Sequence, residues 1–188
     1  MDNSRLPIGF EPISPEVQTD PTTQEEVNRA LLTACDNGDE SGVEACLAAG
    51  ADVNAYGRII DDDWEPDEVT PLILAAMRKR VEIVRRLLDF GTDVEARNEL
   101  RNMTALMIAA EEGEHETCEA LLIKGADVNA TDWDGDSALF YGAESGHVSV
   151  IQLLMKYDTD TGLRNVDGNT AADYAVRTGH MEVAAMLK

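Results

Sequence analysis

The sequence predicts an all-α fold, a solenoid of about five helix-turn-helix units joined by short β-hairpin loops. Three observations carry this expectation. The stretch Thr70-Pro71-Leu72-Ile73-Leu74-Ala75-Ala76 returns as Thr104-Ala105-Leu106-Met107-Ile108-Ala109-Ala110, as Ser137-Ala138-Leu139-Phe140-Tyr141-Gly142-Ala143 and as Thr170-Ala171-Ala172-Asp173-Tyr174-Ala175-Val176, at intervals of 34, 33 and 33 residues. Nine positions beyond the opening Thr or Ser stands Gly113, Gly146 or Gly179, with Lys79 in that place in the first copy. A second apolar run then follows, closed by Gly91 or Gly125. Self-similarity at a fixed period of this length marks a stacked array in which each unit buries its apolar face against its neighbours.

Taken in order, residues 1–23 hold four of the six prolines (Pro7, Pro12, Pro15 and Pro21) and no helical period, so a flexible arm is expected there. The repeat domain is expected over 24–188. Its first unit, about 24–55, opens on the weaker copy Arg29-Ala30-Leu31-Leu32-Thr33-Ala34-Cys35 and turns at Gly38. The step to the next copy is 41 residues, and the surplus falls in an acidic inserted loop at about 56–69 that includes Asp61-Asp62-Asp63-Trp64-Glu65-Pro66-Asp67-Glu68. Units at about 64–96, 97–130, 131–163 and 164–188 follow. In each, the opening Thr or Ser is placed to accept a backbone N–H of the first helical turn, and Pro71 sits where a missing N–H costs nothing. Glycine at the tenth position suits the turn to the second helix, and Gly50, Gly91 and Gly125 suit a left-handed cap. The turn at Arg101-Asn102 has an extra residue and no glycine, and Asp158 replaces the capping glycine of the fourth unit.

Composition narrows the function. There are 37 acidic and 15 basic side chains, a net charge of −22, with a pI near 4.2. Such a balance argues against direct nucleic-acid contact and against binding an anionic membrane surface. No apolar run approaches the roughly 20 residues of a spanning helix. Met1-Asp2-Asn3-Ser4-Arg5 leads into no apolar segment, and three cysteines make no disulfide framework. A soluble protein of a reducing compartment, the cytoplasm or the nucleus, is expected.

Catalytic patterns are missing. No Gly-rich loop precedes Lys-Ser or Lys-Thr, and neither G-x-S-x-G nor H-E-x-x-H occurs. Asp132-x-Asp134-Gly135-Asp136 has spaced carboxylates, but its glycine comes too early for a calcium loop and no Glu follows in the twelfth place, so a turn is expected. His115, His147 and His180 lie at repeat-related places, and Cys35, Cys46 and Cys118 occupy apolar places of the helices. The expectation is therefore no catalytic residue, no metal and no cofactor.

The residues quoted resemble the ankyrin repeat, a family whose unit of about 33 residues carries a β-turn, two helices and the signature T-P-L-H-x-A. Thr70-Pro71-Leu72 and Gly125-Ala126-Asp127-Val128-Asn129 match closely, and the resemblance covers about residues 24–188. The family's His is Ile73, Met107, Phe140 and Asp173 here, so the hydrogen-bond network that it supports is expected to be absent. The resemblance implies a non-enzymatic protein-interaction module that grips a protein or peptide in the groove formed by hairpin tips and first helices. Carried onto this chain, the groove positions include Met77, Arg78 and Met103, then Glu111 and Glu112, then Trp133, Asp134, Asp136 and Glu144. Their acidity predicts a partner of basic character. The resemblance also admits a regulatory inhibitor that clamps a kinase or transcription factor, and the recognition domain of a larger enzyme. It further implies that Asn54 and Asn129 sit where asparagines of the family can be hydroxylated.

Two tryptophans stand out beside this. Trp133 on a finger tip is either a partner anchor or packs on the next finger through Val166 or Met103. Trp64 lies among six carboxylates that either steer a basic partner or fold back on Arg78, Lys79, Arg80, Arg85 and Arg86. Residues 1–69 contain 17 acidic and 3 basic side chains against 20 and 12 in 70–188, which makes the first part the negative pole.

Overall fold

A computed structural model describes residues 21–61 and 64–188, with the side chains of 21, 22 and 59–66 outside that description. Among the described residues the order is α1 (Pro21–Asn37), α2 (Glu40–Ala48), β1 (Gly57–Asp61), β2 (Trp64–Val69), α3 (Pro71–Met77), α4 (Val81–Asp89), α5 (Ala105–Glu111), α6 (His115–Ile123), α7 (Ala138–Glu144), α8 (Val148–Leu154), α9 (Ala171–Thr178) and α10 (Met181–Met186). The arm expected over 1–23 falls on residues 1–20 outside the description, and Pro21 already opens α1. The odd-numbered helices stack on one another as an inner row, the even-numbered ones as an outer row, and each pair within a unit packs together.

Helices of seven residues do not hold in isolation, so packing sustains them. Thr70, Thr104 and Thr170 accept the N–H of Ile73, Met107 and Asp173 at 3.4, 3.4 and 3.3 Å, as capping predicts. The three apolar residues in the family's His place are buried: Ile73, Met107 and Phe140 are at most 1% exposed. The expected loss of hydrogen bonding is offset in two units. Met107 Sδ accepts the Thr104 N–H at 3.4 Å, and the Asp173 carboxylate accepts both the N–H and the hydroxyl of Thr170 at 2.9 and 2.8 Å. Ala75, Ala76, Ala109, Ala110 and Ala143 are fully buried, because small side chains let the inner helices approach closely.

The turn glycines do more than relax the backbone. Gly113 has φ +72 and Gly146 φ +77, and the rings of His147 and His180 in the following units fill the space where a Cβ would stand. Gly38 is covered in the same way by Arg80. Where Lys79 replaces the glycine, at φ 56, the next unit has Glu114 in place of a ring, and Lys79 Nζ lies 2.8 Å from Glu112 and 4.0 Å from Glu114. Asp158 and Asn102 adopt the left-handed conformation at φ 54 and 63, so neither the missing cap glycine nor the longer turn breaks the pattern.

The insert is an antiparallel hairpin. Gly57 pairs with Val69, Arg58 with Glu68 and Ile59 with Asp67, and a bulge shifts the register before Asp61 meets Trp64. Gly57 lets the strand lie against α1, since a Cβ there would displace the end of the Leu32 side chain.

Candidate partner-binding groove

The fingers are built from one recurring turn residue. The Asn98 side chain accepts the Met103 N–H at 2.6 Å, Asp132 accepts those of Asp134 and Asp136 at 3.0 and 2.9 Å, and Asn165 accepts those of Asp167 and Asn169 at 3.2 and 3.0 Å. Asn and Asp favour such turns because their short side chains reach the backbone two residues on. Neighbouring fingers are then joined by main-chain hydrogen bonds, Glu99 N–H to Glu68 O (3.1 Å), Trp133 N–H to Arg101 O (3.3 Å) and Val166 N–H to Asp134 O (2.9 Å). Asp67 of the hairpin belongs to the same row: its carboxylate accepts from Asn98 Nδ2 at 2.5 Å and from the N–H of Glu99 and Leu100 at 3.1 and 2.9 Å.

This ribbon fixes the backbone of Trp133 and leaves its ring outside. Trp133 is 68% exposed and Val166 71%, so neither buries the other. Below the tip, the Tyr141 hydroxyl donates to Asp132 at 2.5 Å and accepts from Arg101 Nη2 at 2.8 Å. Burial, reinforced by the Asp132 hydrogen bond and charge, pushes the Tyr141 phenol above its ordinary range, which keeps it a donor.

Four of the anticipated residues meet around one hollow of about 40 Å³ between the Asn98 finger and helices α3 and α5. Met77, Met103, Glu111 and Glu112 line it, together with Leu100, Arg101 and Ile108. Met103 is 3% exposed and forms the floor, which corrects the expectation of an outward-facing anchor: tied to Asn98 through its N–H, it turns inward. Asp136 is corrected likewise. At 8% exposure, its carboxylate is occupied by Asn165 Nδ2 (2.9 Å) and the Tyr174 hydroxyl (3.3 Å), and it joins two fingers. Burial raises its pKa first, with the neighbouring Asp132 and Asp134 adding to the effect.

The others are distributed as follows. Asp134 is exposed, Glu144 faces Arg177 at 3.3 Å, and Glu112 faces Lys79 at 2.8 Å. Arg78 is half-buried with its guanidinium on Asp36 at 2.6 Å. The Trp64 side chain lies outside the described residues. Glu111 is half-buried, and burial raises its carboxyl pKa against the opposing pull of Arg101, 4.0 Å away. The basic run after α3 is held by units on either side: Arg86 pairs with Glu40 at 2.9 Å and with Glu44, Arg80 reaches Asp36 O at 3.5 Å, and Arg85 stands 4.0 Å from Glu82. Leu100, Arg101, Asp67 and Tyr141 escaped the sequence reading. The recurrence of Asn98, Asp132 and Asn165 at the repeat interval was the signal that fixes finger register.

Other polar groups have structural duties. Asn54 accepts from the Thr92 hydroxyl (2.9 Å) and the Asp93 N–H (2.8 Å), and Asn129 accepts from the Asp160 N–H at 2.8 Å, so both tie successive units. Cys35 and Cys118 are buried, with thiols pushed up to about 12 by burial, too high for nucleophiles. Among the described residues no cluster of His, Cys, Asp or Glu is placed to hold a metal, and no helix is long and apolar enough to cross a membrane.

A family model described as ankyrin repeats, three copies, matches residues 31–132 and again 130–188. Ankyrin repeat and KH domain-containing protein mask-1 of Caenorhabditis elegans is 38% identical over 104 residues, 55% of this chain and 4% of that protein. Ankyrin repeat and SOCS box protein 6 of Homo sapiens is 33% identical over 120 residues, 63% of this chain and 27% of that protein. E3 ubiquitin-protein ligase KEG of Arabidopsis thaliana is 37% identical over 100 residues, 51% of this chain and 5% of that protein. The matched stretch thus spans between 4% and 27% of these relatives.

Proposed function

The chain belongs to the ankyrin repeat family, and on that premise we propose that it is a non-enzymatic interaction module whose groove grips a protein or peptide of basic character. Repeats of this family serve protein–protein interaction. We place the encounter in the cytoplasm or the nucleus, where the three cysteines stay free thiols.

One observation carries the basic partner: Glu111 sits half-buried at the rim of an apolar hollow, with its pKa raised by burial and only a distant arginine to offset the charge. A lysine or arginine of the partner satisfies both features, laying its aliphatic stem on Met77, Met103 and Ile108 and its cation against Glu111. The hollow has room for roughly three waters at about 15 Å³ each, which the stem would displace. Trp133, one finger along, supplies the apolar anchor; tryptophans of this kind are often worth ~2 kcal/mol or more.

Selection of a random displayed peptide library on the full chain tests this. Selected peptides are expected to carry Lys or Arg beside an apolar residue, and to lose roughly thirtyfold in affinity on Trp133→Ala and about tenfold on Glu111→Gln. Peptides without a cation, or indifferent to both variants, would overturn the reading. The fold gives an independent check. A carboxyl whose folded pKa is raised binds its proton more tightly when folded, so its contribution to stability falls as pH rises through the carboxylate range. Glu111→Gln removes that slope, and urea unfolding across this pH range measures it.

A second reading, the recognition part of a larger enzyme, is favoured by the name of one relative, an E3 ubiquitin-protein ligase, and by the small share of each relative that is matched. It predicts that the same two variants, in a longer protein, raise KM for the protein substrate and leave kcat unchanged.

A further inference from the structure

We propose that the groove has a second subsite of opposite charge at its N-terminal end, where Arg29 and Arg58 receive a carboxylate side chain of the bound segment. This rests on the preceding reading only in assuming that the groove holds a peptide. The subsite is a cleft of about 590 Å³ between α1, α3 and β1, within the roughly 300–1,000 Å³ of ordinary ligand pockets. The inserted hairpin makes its wall. Gly57 brings β1 against Leu32, and the Tyr56 hydroxyl donates to Arg97 O at 3.2 Å, which leaves the ring standing 54% exposed at the edge. Leu32 and Leu74 lie in the lining.

Charge makes the cleft unusual. The first 69 residues contain 17 acidic side chains and three basic ones, Arg5, Arg29 and Arg58, and two of those three line this cleft. Both are exposed, and neither makes an ion pair or a side-chain hydrogen bond among the described residues. Asp36 in the lining is already held at 2.6 Å by Arg78, which lines the cleft too; Glu25 is the one further acid of the lining, and Glu68 stands opposite Arg58 in the hairpin register. Arg29 and Arg58 thus add two guanidiniums to a cleft that already holds the Arg78–Asp36 pair, and an anionic side chain of the bound segment would neutralise them. Arginine presents a planar fork that matches a carboxylate, and the leucines with Tyr56 accept an apolar neighbour of that carboxylate. A single negative charge fits better than a phosphate dianion, since Glu25 and the −22 chain oppose each added charge.

The bound segment is therefore bipolar: a carboxylate beside an apolar residue for units 1 and 2, and a cation for the hollow between units 2 and 3. The test is to select displayed random peptides on the full chain and measure the recovered peptides against Arg29→Gln/Arg58→Gln and, separately, Glu111→Gln. Both arginines are exposed, so an unchanged circular dichroism melt controls for folding. A class carrying Asp or Glu beside an apolar residue is expected, with affinity falling about tenfold or more in the double arginine variant and equally when the peptide's acid becomes its amide. The proposal is overturned if no recovered peptide depends on the arginines, if acid-to-amide exchange changes nothing, or if a phosphoserine in that place binds more tightly. Loss in the arginine variant alone upholds this subsite and rejects the central one; loss in Glu111→Gln alone does the reverse.

Discussion

At the two C-terminal junctions a histidine ring packs against the turn glycine of the preceding unit, His147 on Gly113 and His180 on Gly146, with His147 Nε2 3.0 Å from Glu111 O. At the first junction the corresponding position is Arg80, and the helices are joined by Arg78 to Asp36 and by Arg86 to Glu40 and Glu44. Ring-on-backbone contact is short-ranged and indifferent to salt. Partly exposed ion pairs contribute ~0–1 kcal/mol each and are screened. The turn contacts thus rest on packing in one half and on charge in the other, above an apolar core that runs through both and includes Leu31, Cys35, Leu72 and Ile73, and the charged half is also where the insert joins the array.

The largest expected effect falls on the packed half. Phe140 is 1% exposed and meets the Tyr174 ring edge-on, centroids 5.5 Å apart, across the junction of units 4 and 5. Phe140→Ala removes that bridge and leaves a cavity, at a cost of about 3–5 kcal/mol. Urea unfolding followed by hydrogen exchange checks it: α7 to α10 should exchange first in the variant, whereas α1 and α2 exchange first in the wild type. Protection lost evenly along the chain would remove the distinction between halves.

A smaller effect separates contact from strain. Gly146 and Gly91 are both left-handed, at φ +77 and +83, but a Cβ at Gly146 runs into His180 while one at Gly91 meets nothing. Gly91→Ala should cost about 1 kcal/mol from backbone strain alone, and Gly146→Ala about 2–3 kcal/mol because the ring must also move. Equal losses in thermal or urea unfolding would mean that the histidines are bystanders.

How much of this was legible follows from the same contrast. The inner helices, their Thr caps and the turn glycines are visible because each is a local requirement repeated at a fixed interval. The hairpin was not. Asp61 to Glu68 reads as a solvated loop, and what pairs it is Gly57 admitting Leu32 and Asp67 accepting from the next finger, both long-range. Met103 and Asp136 were misread for a related reason. Each precedes the Thr or Ser cap, and whether such a residue faces the groove or the neighbouring finger depends on how the Asn98 or Asp132 turn closes. The Glu111 and Glu112 rim was legible through the family resemblance, which carries the exposed places of the first helices onto these residues.

The smallest expected effect lies at the one junction of neither kind. Lys79 holds the left-handed place at φ 56 and is compensated by Glu112 at 2.8 Å and Glu114 at 4.0 Å. Lys79→Gly relieves strain of about 1–2 kcal/mol, loses an exposed pair worth under ~1 kcal/mol and adds chain entropy to the unfolded state, so a net gain of up to about 1 kcal/mol is expected. That gain should grow with salt, since salt weakens the wild-type pair and leaves the glycine untouched. Adding Glu114→His gives this junction the residues found at Gly113 and His147, and the double variant's urea midpoint should then respond less to salt than the wild type's. An unchanged response would show that the ion pairs at the first junction, rather than the exchange at Lys79, set the salt sensitivity of the N-terminal half.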